Sequence, residues 1–291
     1  MLLDDLRGIL LSHRTAAGGW PYMPGKSPRI EPTCWGLLAL AALDGRAAPD
    51  TAVLAAWPRR DGWLEDVAGA PPNYAFNALA GLTLMSAAAG AAAAAPLAAR
   101  IVAGRSIEVP QTDLVRLDGS LRAWPWVDGT ASWVEPTSWC LLLLKKRRAI
   151  DRRQETRDRI EVGERMLRDR VCRDGGWNYG NSQVYGQDLW PYVPTTAVAL
   201  LALQDRRDDP EVRRSLVQLQ KDVAAERSML ALALAVLCLR TYGLPVEPVR
   251  GELLGMAETS VRDGRAPDHL LAVSMTACAL AQQGAPHAFA L

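Results

Sequence analysis

The 291-residue sequence is poor in several things that would mark a common protein class. Its five cysteines, Cys34, Cys140, Cys172, Cys238 and Cys278, are odd in number and never form a Cys-x-x-Cys pair. That usage excludes a disulfide framework and a cysteine-rich zinc module, and it fits a reducing, cytoplasmic setting. Charge of one sign is not in excess either: 33 Lys+Arg against 32 Asp+Glu leave a formal +1. No whole-chain field draws in nucleic acid or an anionic membrane, so any partner must be selected locally. Phenylalanine occurs twice and histidine three times.

No export signal is expected at the start of this sequence either, because "MLLDDLRGILLSHR" carries Asp4 and Asp5 and reads as an amphipathic helix. The longest low-polarity stretch, Phe76 to Gly104, is mostly alanine and is interrupted by Gly90 and Pro96. Alanine contributes little to bilayer insertion, so two ordinary helices are expected there rather than a membrane span. No segment shows the alternation of a half-buried strand.

What the sequence does contain is a repeat. A turn-rich aromatic loop, a proline-marked helix start and a strongly apolar helix recur in "GGWPYMPGKSPRIEPTCWGLLALAALDG", "DGSLRAWPWVDGTASWVEPTSWCLLLLKK" and "DGGWNYGNSQVYGQDLWPYVPTTAVALLALQDR". A degraded fourth copy is "DGWLEDVAGAPPNYAFNALAGLTLMSAAAG", which includes Asn73. Two further apolar helices, "RSMLALALAVLCLRTYG" and "DHLLAVSMTACALAQQG", complete a set of six. Between them lie more amphipathic segments at 2–14, 50–57, 91–103, 152–171, 210–223 and 246–262.

Helices that are apolar all round belong inside, and those with one apolar stripe belong outside. Six of each in alternation close into an (α/α)6 toroid, an all-α fold occupying residues 1–291 as one domain.

The Asp-Gly-Gly-Trp loop at 174–177, its relatives Asp61-Gly62-Trp63 and Asp118-Gly119-Ser120, and the Pro-Thr-led apolar helices resemble the prenyltransferase and squalene-cyclase repeat. The resemblance spans nearly the whole chain. It implies a central apolar cavity, lined by inner-helix N-termini and aromatic loops, that accepts an isoprenoid chain.

The cyclase branch of that family initiates reaction with an acidic D-x-D-D motif just before a Thr-led inner helix, and this sequence lacks it. Glu31-Pro32-Thr33 and Glu135-Pro136-Thr137 stand in its place. Protein prenyltransferases of the same family hold zinc through Asp, Cys and His. Here Cys34 and His269 are the weak candidates that ring closure would bring together, and the D-x-C spacing is missing. No cofactor is expected.

Glu31 and Glu135 are the candidate catalytic acids. A carboxylate beside a helix start gains from the helix dipole, so a purely structural role is the competing explanation. In the third copy Val193 precedes Pro194-Thr195, as if the acid had been dropped without harm to the helix start. Burial would raise a glutamate pKa and the helix N-terminus would lower it.

Trp35 and Trp139 each follow a glutamate by four residues and share its helical face. They and Trp20, Tyr22, Asn73, Trp126, Trp133, Trp177, Tyr179, Trp190 and Tyr192 are the candidate substrate-binding residues, because aromatic faces pack on polyene chains and stabilise cations. For Trp63 and Trp177, in the Asp-Gly-Trp loops, a clamp between neighbouring repeats is the favoured reading.

Two charged patterns are discounted. Asp205, Asp208 and Asp209 occupy a short turn rather than a magnesium-diphosphate site. The basic run Lys145 to Arg148 leads into mixed charges that suit a solvated helix, although it could touch headgroups.

The expected function is therefore an isoprenoid-binding, terpenoid-cyclase-like protein with acid-initiated cyclisation or isomerisation. The alternatives are a non-catalytic lipid- or protein-binding toroid and a carbohydrate-active α/α barrel. The expected partner is an apolar small molecule, with peripheral membrane contact possible and nucleic acid excluded.

Overall fold

The computed structural model describes residues 1–46, 48–87, 90–282 and 288–291. Twelve α-helices dominate the described residues. The inner ones are α2 (Ile30–Leu43), α4 (Tyr74–Met85), α6 (Val134–Arg147), α8 (Val193–Ala202), α10 (Met229–Thr241) and α12 (Leu270–Ala281). The outer ones are α1 (Leu2–Ser12), α3 (Ala52–Ala55), α5 (Gly90–Ala103), α7 (Gln154–Asp169), α9 (Pro210–Asp222) and α11 (Glu247–Arg262). Each inner helix packs on the next, and α12 packs on α2, so the ring closes as the alternation of apolar and amphipathic segments requires.

Burial follows the pattern. Residues 32–41 of α2 are all buried, whereas only Val212, Ser215, Gln218 and Leu219 are buried on α9. The expected outer helix at 50–57 contracts to the single turn of α3. Part of its place is taken by a hairpin, β1 (Arg59–Arg60) with β2 (Trp63–Leu64). A second hairpin, β3 (Gln183–Val184) with β4 (Gln187–Asp188), projects from the loop before α8. Asp61 and Tyr185 take left-handed backbone at their tips, as two-residue hairpin turns demand. Neither hairpin shows the alternation by which strands are read from sequence, because each strand is only two residues long.

The loop tryptophans lock the layers together. Trp20, Trp124 and Trp177 are fully buried, and their indole N–H groups donate to the outer-helix carbonyls of Leu10 at 2.7 Å, Ile101 at 2.8 Å and Leu167 at 2.7 Å. Their backbone N–H groups donate to the hydroxyls of Thr33, Thr137 and Thr196 on the inner helices. In the fourth copy Leu64 donates to the Asn77 side chain at 2.8 Å instead. Close approach requires glycine: a Cβ on Gly36 would lie 2.7 Å from the Trp20 ring, and one on Gly163 would lie 2.7 Å from the Trp124 ring.

These bonds fix the register between copies. Arg29, Trp133 and Tyr192 each donate to the clamp tryptophan's carbonyl and are the residues just before the helix. Val193 is therefore equivalent to Ile30 and Val134, and Pro194 occupies the position of Glu31 and Glu135. The sequence reading that set Val193 against the glutamates was one residue out, because it aligned the two Pro-Thr pairs rather than the threonines that bind the loop.

The basic run at the end of α6 is also corrected. Lys145 is buried and pairs with Glu164 at 2.7 Å and Asp205 at 2.5 Å, and Arg147 is buried and donates to the Ala91 carbonyl. Asp205 thereby serves a buried ion network, not a metal. No described helix is long and apolar enough to cross a membrane, and the 76–104 stretch divides between α4 and α5.

Candidate functional site

The inner helices all begin at one end of the ring, and a second set of bonds ties each start to the neighbouring loop. Tyr74 N–H donates to Trp126 O, Val134 to Tyr179 O, and Leu270 to Tyr22 O, the last across the ring closure. The donor at Ile30 finds no carbonyl; the Asp66 carboxylate accepts it at 2.7 Å and also binds Arg29. Tyr22, Asp66, Trp126 and Tyr179 are therefore equivalent positions in four consecutive copies. They form a collar around the mouth.

Glu31 and Glu135 are the second residues of α2 and α6, with Arg29 and Trp133 at the N-caps. Neither helix has a side-chain cap bond at its N-cap residue. Both glutamates lie deep in the protein yet keep some accessible surface.

Their surroundings differ. Tyr22 donates its hydroxyl to Glu31 Oε2 at 2.6 Å. Burial pushes the Glu31 pKa up, the Tyr22 hydrogen bond pulls it back, and the nearby Asp66 charge raises it. Burial and then the charge of Glu31 push Glu135 up to about 7, with a hydrogen bond from Trp139 working in the other direction. The charge of Glu31 thus reaches Glu135, and Glu31 takes the better hydrogen-bonded position. Glu135 is the one that holds its proton towards neutral pH. Burial and the Glu31 charge also raise the Tyr22 hydroxyl pKa, which keeps it a donor.

One turn further in, the two tryptophans expected to share the glutamate faces meet. Trp35 and Trp139 have centroids 6.4 Å apart in an edge-to-face arrangement, although α4 separates their helices around the ring. Phe289 joins them, 5.1 Å from Trp35 and 5.3 Å from Trp139. Beside them Phe76 and Trp126, both half-buried, pack edge to face at 6.4 Å.

The other candidates separate into groups. Trp20 and Trp177 are sealed into the interlayer clamps, which removes them from any cavity wall. Asn73 caps α4 through the Phe76 N–H. Trp133, Tyr179 and Tyr192 are partly exposed at the mouth, with the two tyrosine rings 5.1 Å apart. Trp190 is 74% exposed beside Arg173, Asp188 and Gln218 of the outer layer, away from the ring centre.

Cys34 is fully buried against Thr83, whereas His269 is exposed, so the zinc pairing is not formed. Among the described residues no group of three or more His, Cys, Asp or Glu is placed to hold a metal.

The ring architecture is shared with known proteins. The structure is similar to the type II terpene cyclase MstE from Scytonema, with TM-score 0.58 and 15% identity over 96% of both chains. It is similar to a family 76 α-mannanase from Bacteroides thetaiotaomicron, with TM-score 0.60 and 10% identity over 96% of this chain and 93% of that one. A third likeness is to a protein from Actinoplanes, with TM-score 0.58 and 16% identity over 96% of this chain and 97% of that one. At these identities the likeness establishes the α/α toroid and nothing finer. No family model matches the sequence. No curated protein matches it either.

Arg29, Asp66 and Phe289 escaped the sequence reading. Asp66 could have been found by counting two residues beyond the clamp position in each copy. Phe289 carries no local signal.

Proposed function

We propose that this protein binds an apolar chain of isoprenoid type in the ring and protonates it from Glu135. The observation that carries the reading is the unequal glutamate pair above a floor of three aromatic rings. In such a site the Glu135 O–H bond breaks as a new C–H bond forms at one carbon of an alkene. The cation left on the neighbouring carbon is stabilised by the faces of Trp35 and Trp139. The final cation loses a proton to the Glu135 carboxylate, as a C–H bond breaks to form the product alkene and the acid is restored, so the net reaction is a redox-neutral isomerisation or cyclisation. Glu31, as the carboxylate, supplies negative charge near the cation. The exposed Trp133, Tyr179 and Tyr192 at the mouth suit entry of an apolar chain from a lipid surface.

A second reading has one specific support: two interacting carboxyls of unequal pKa also suit hydrolysis of a glycosidic bond, and a solved mannanase shares the fold. Weighing against it, the rings beneath the acids offer few hydrogen-bond partners to a sugar. Incubating the protein with prenyl alcohols, prenyl diphosphates, squalene and mannan, with products read by mass spectrometry, tests both. Conversion of a prenyl chain supports the first reading. Release of sugar from mannan alone replaces it with the second. Binding of a prenyl chain without turnover reduces the protein to a lipid-binding toroid.

A further inference from the structure

The far end of the ring, where the inner helices finish, holds a built receptor for a short stretch of the chain. Gln204, just beyond α8 and nearly fully buried, donates through Nε2 to the Phe289 carbonyl at 2.8 Å and accepts from the Leu291 N–H through Oε1 at 3.0 Å. This reciprocal amide pairing resembles one rung of a β-ladder. Lys146, at the end of α6, donates to the Ala290 carbonyl at 2.7 Å. So three bonds hold residues 289–291 by their backbone, and the Phe289 side chain points inward. That ring is 1% exposed and touches Trp35 and Trp139, the residues one turn below Glu31 and Glu135.

An aromatic side chain that enters from the far end and meets both tryptophans closes the space beneath the acids. We propose that Phe289 is the specificity-determining residue of this site, a floor that sets how long an apolar chain can lie below Glu31 and Glu135. The inference rests on the apolar-chain reading proposed above. A phenyl group occupies about the space of one five-carbon isoprene unit, so replacing it by a methyl should lengthen the preferred ligand by about one such unit. Gln204 and Lys146 act on the ligand only through Phe289 and are positioning residues.

The test is a length series of geraniol, farnesol, geranylgeraniol and squalene, titrated against the full chain with tryptophan fluorescence as the readout. Phe289→Ala should move the tightest-bound member about one isoprene unit upward and improve affinity for the longer member by about tenfold. Phe289→Trp should move it downward, and this variant keeps the floor filled if the alanine variant does not fold. Gln204→Ala should broaden the preference by loosening the floor. A variant that binds the series in the same order and with the same optimum as wild type overturns the floor while leaving the apolar-chain reading intact. Absence of binding by wild type and variants alike overturns that reading and the floor with it.

Discussion

Tyr22 gives its hydroxyl hydrogen to Glu31 at 2.6 Å, and no phenol performs that service for Glu135. The partner of Glu135 is the weaker indole donor of Trp139. Two copies of one repeat have thereby placed chemically identical side chains at equivalent positions and separated their proton affinities. Such separation assigns acid and base roles.

Removing Tyr22's donor should change both glutamates in opposite directions. In Tyr22→Phe, Glu31 loses a bond to its charged form, so its pKa rises further. With less Glu31 charge present, Glu135 should titrate below its wild-type midpoint of about 7. Trp139→Phe removes the bond that lowers Glu135, so its midpoint should move above about 7. Carboxyl NMR of glutamate-labelled protein would read both shifts. Unmoved midpoints would show that the two acids do not share one space.

The Glu135 pKa also implies a stability profile. The folded value is about 7 against 4.5 for a solvent-exposed glutamate, so the native state binds the extra proton between those limits. Stability contributed at this site is then fully present below about pH 4.5 and is lost as pH rises from there through about 7, by about 3 kcal/mol in all. Glu135→Gln should remove the decline, leaving the variant more stable than wild type at about pH 8 and similar at about pH 4. Urea unfolding at the two pH values measures it. An identical pH dependence in both proteins would place Glu135 in solvent.

The clamp should be expensive to break. Thr33→Val leaves the buried Trp20 N–H without its acceptor and should cost about 1–3 kcal/mol. Thr137→Val should cost less, because the equivalent bond to Trp124 is longer at 3.3 Å. Thermal unfolding of the two variants checks the order.

A further stability test lies outside the site, where α6 meets α7. Lys145 sits between Glu164 and Asp205, and Lys145→Met would strand buried negative charge at a cost of about 3 kcal/mol. Arg206 still reaches Glu164 at 3.0 Å, which limits the loss. Adding Glu164→Gln should recover part of it, a coupling that a double-mutant cycle would detect.

The ring was legible in the sequence because each inner helix is apolar on every face and each outer one is not. That contrast survives without any copy being well conserved. The acid and ring pairs were legible too, since Glu31 and Trp35, like Glu135 and Trp139, are one turn apart on one face. Alignment by proline failed at Val193, where a second threonine follows the first. The binding threonine is Thr196, identified by its bond to Trp177 rather than by its neighbours. Tryptophan identity could not separate the clamp residue Trp20 from mouth residues such as Trp133, because both kinds sit in the same loops, whereas the Asp-Gly-Gly-Trp loop pointed to a clamp at Trp177. Asp66 acts by replacing a backbone carbonyl, and Phe289 acts from some 250 residues away from Trp35 in the chain. The first could be read only by counting two residues beyond the clamp position in each copy, and the second leaves no local pattern.

The central claim is that Glu135 delivers a proton to a bound apolar chain, and reaction in deuterium oxide tests it most directly. Wild-type protein incubated with the prenyl chain it binds should give a product carrying solvent deuterium at the protonated carbon. Glu135→Gln should lower the rate by about 100-fold or more while still binding the chain. A product formed without solvent deuterium, or formed equally fast by Glu135→Gln, would contradict the account.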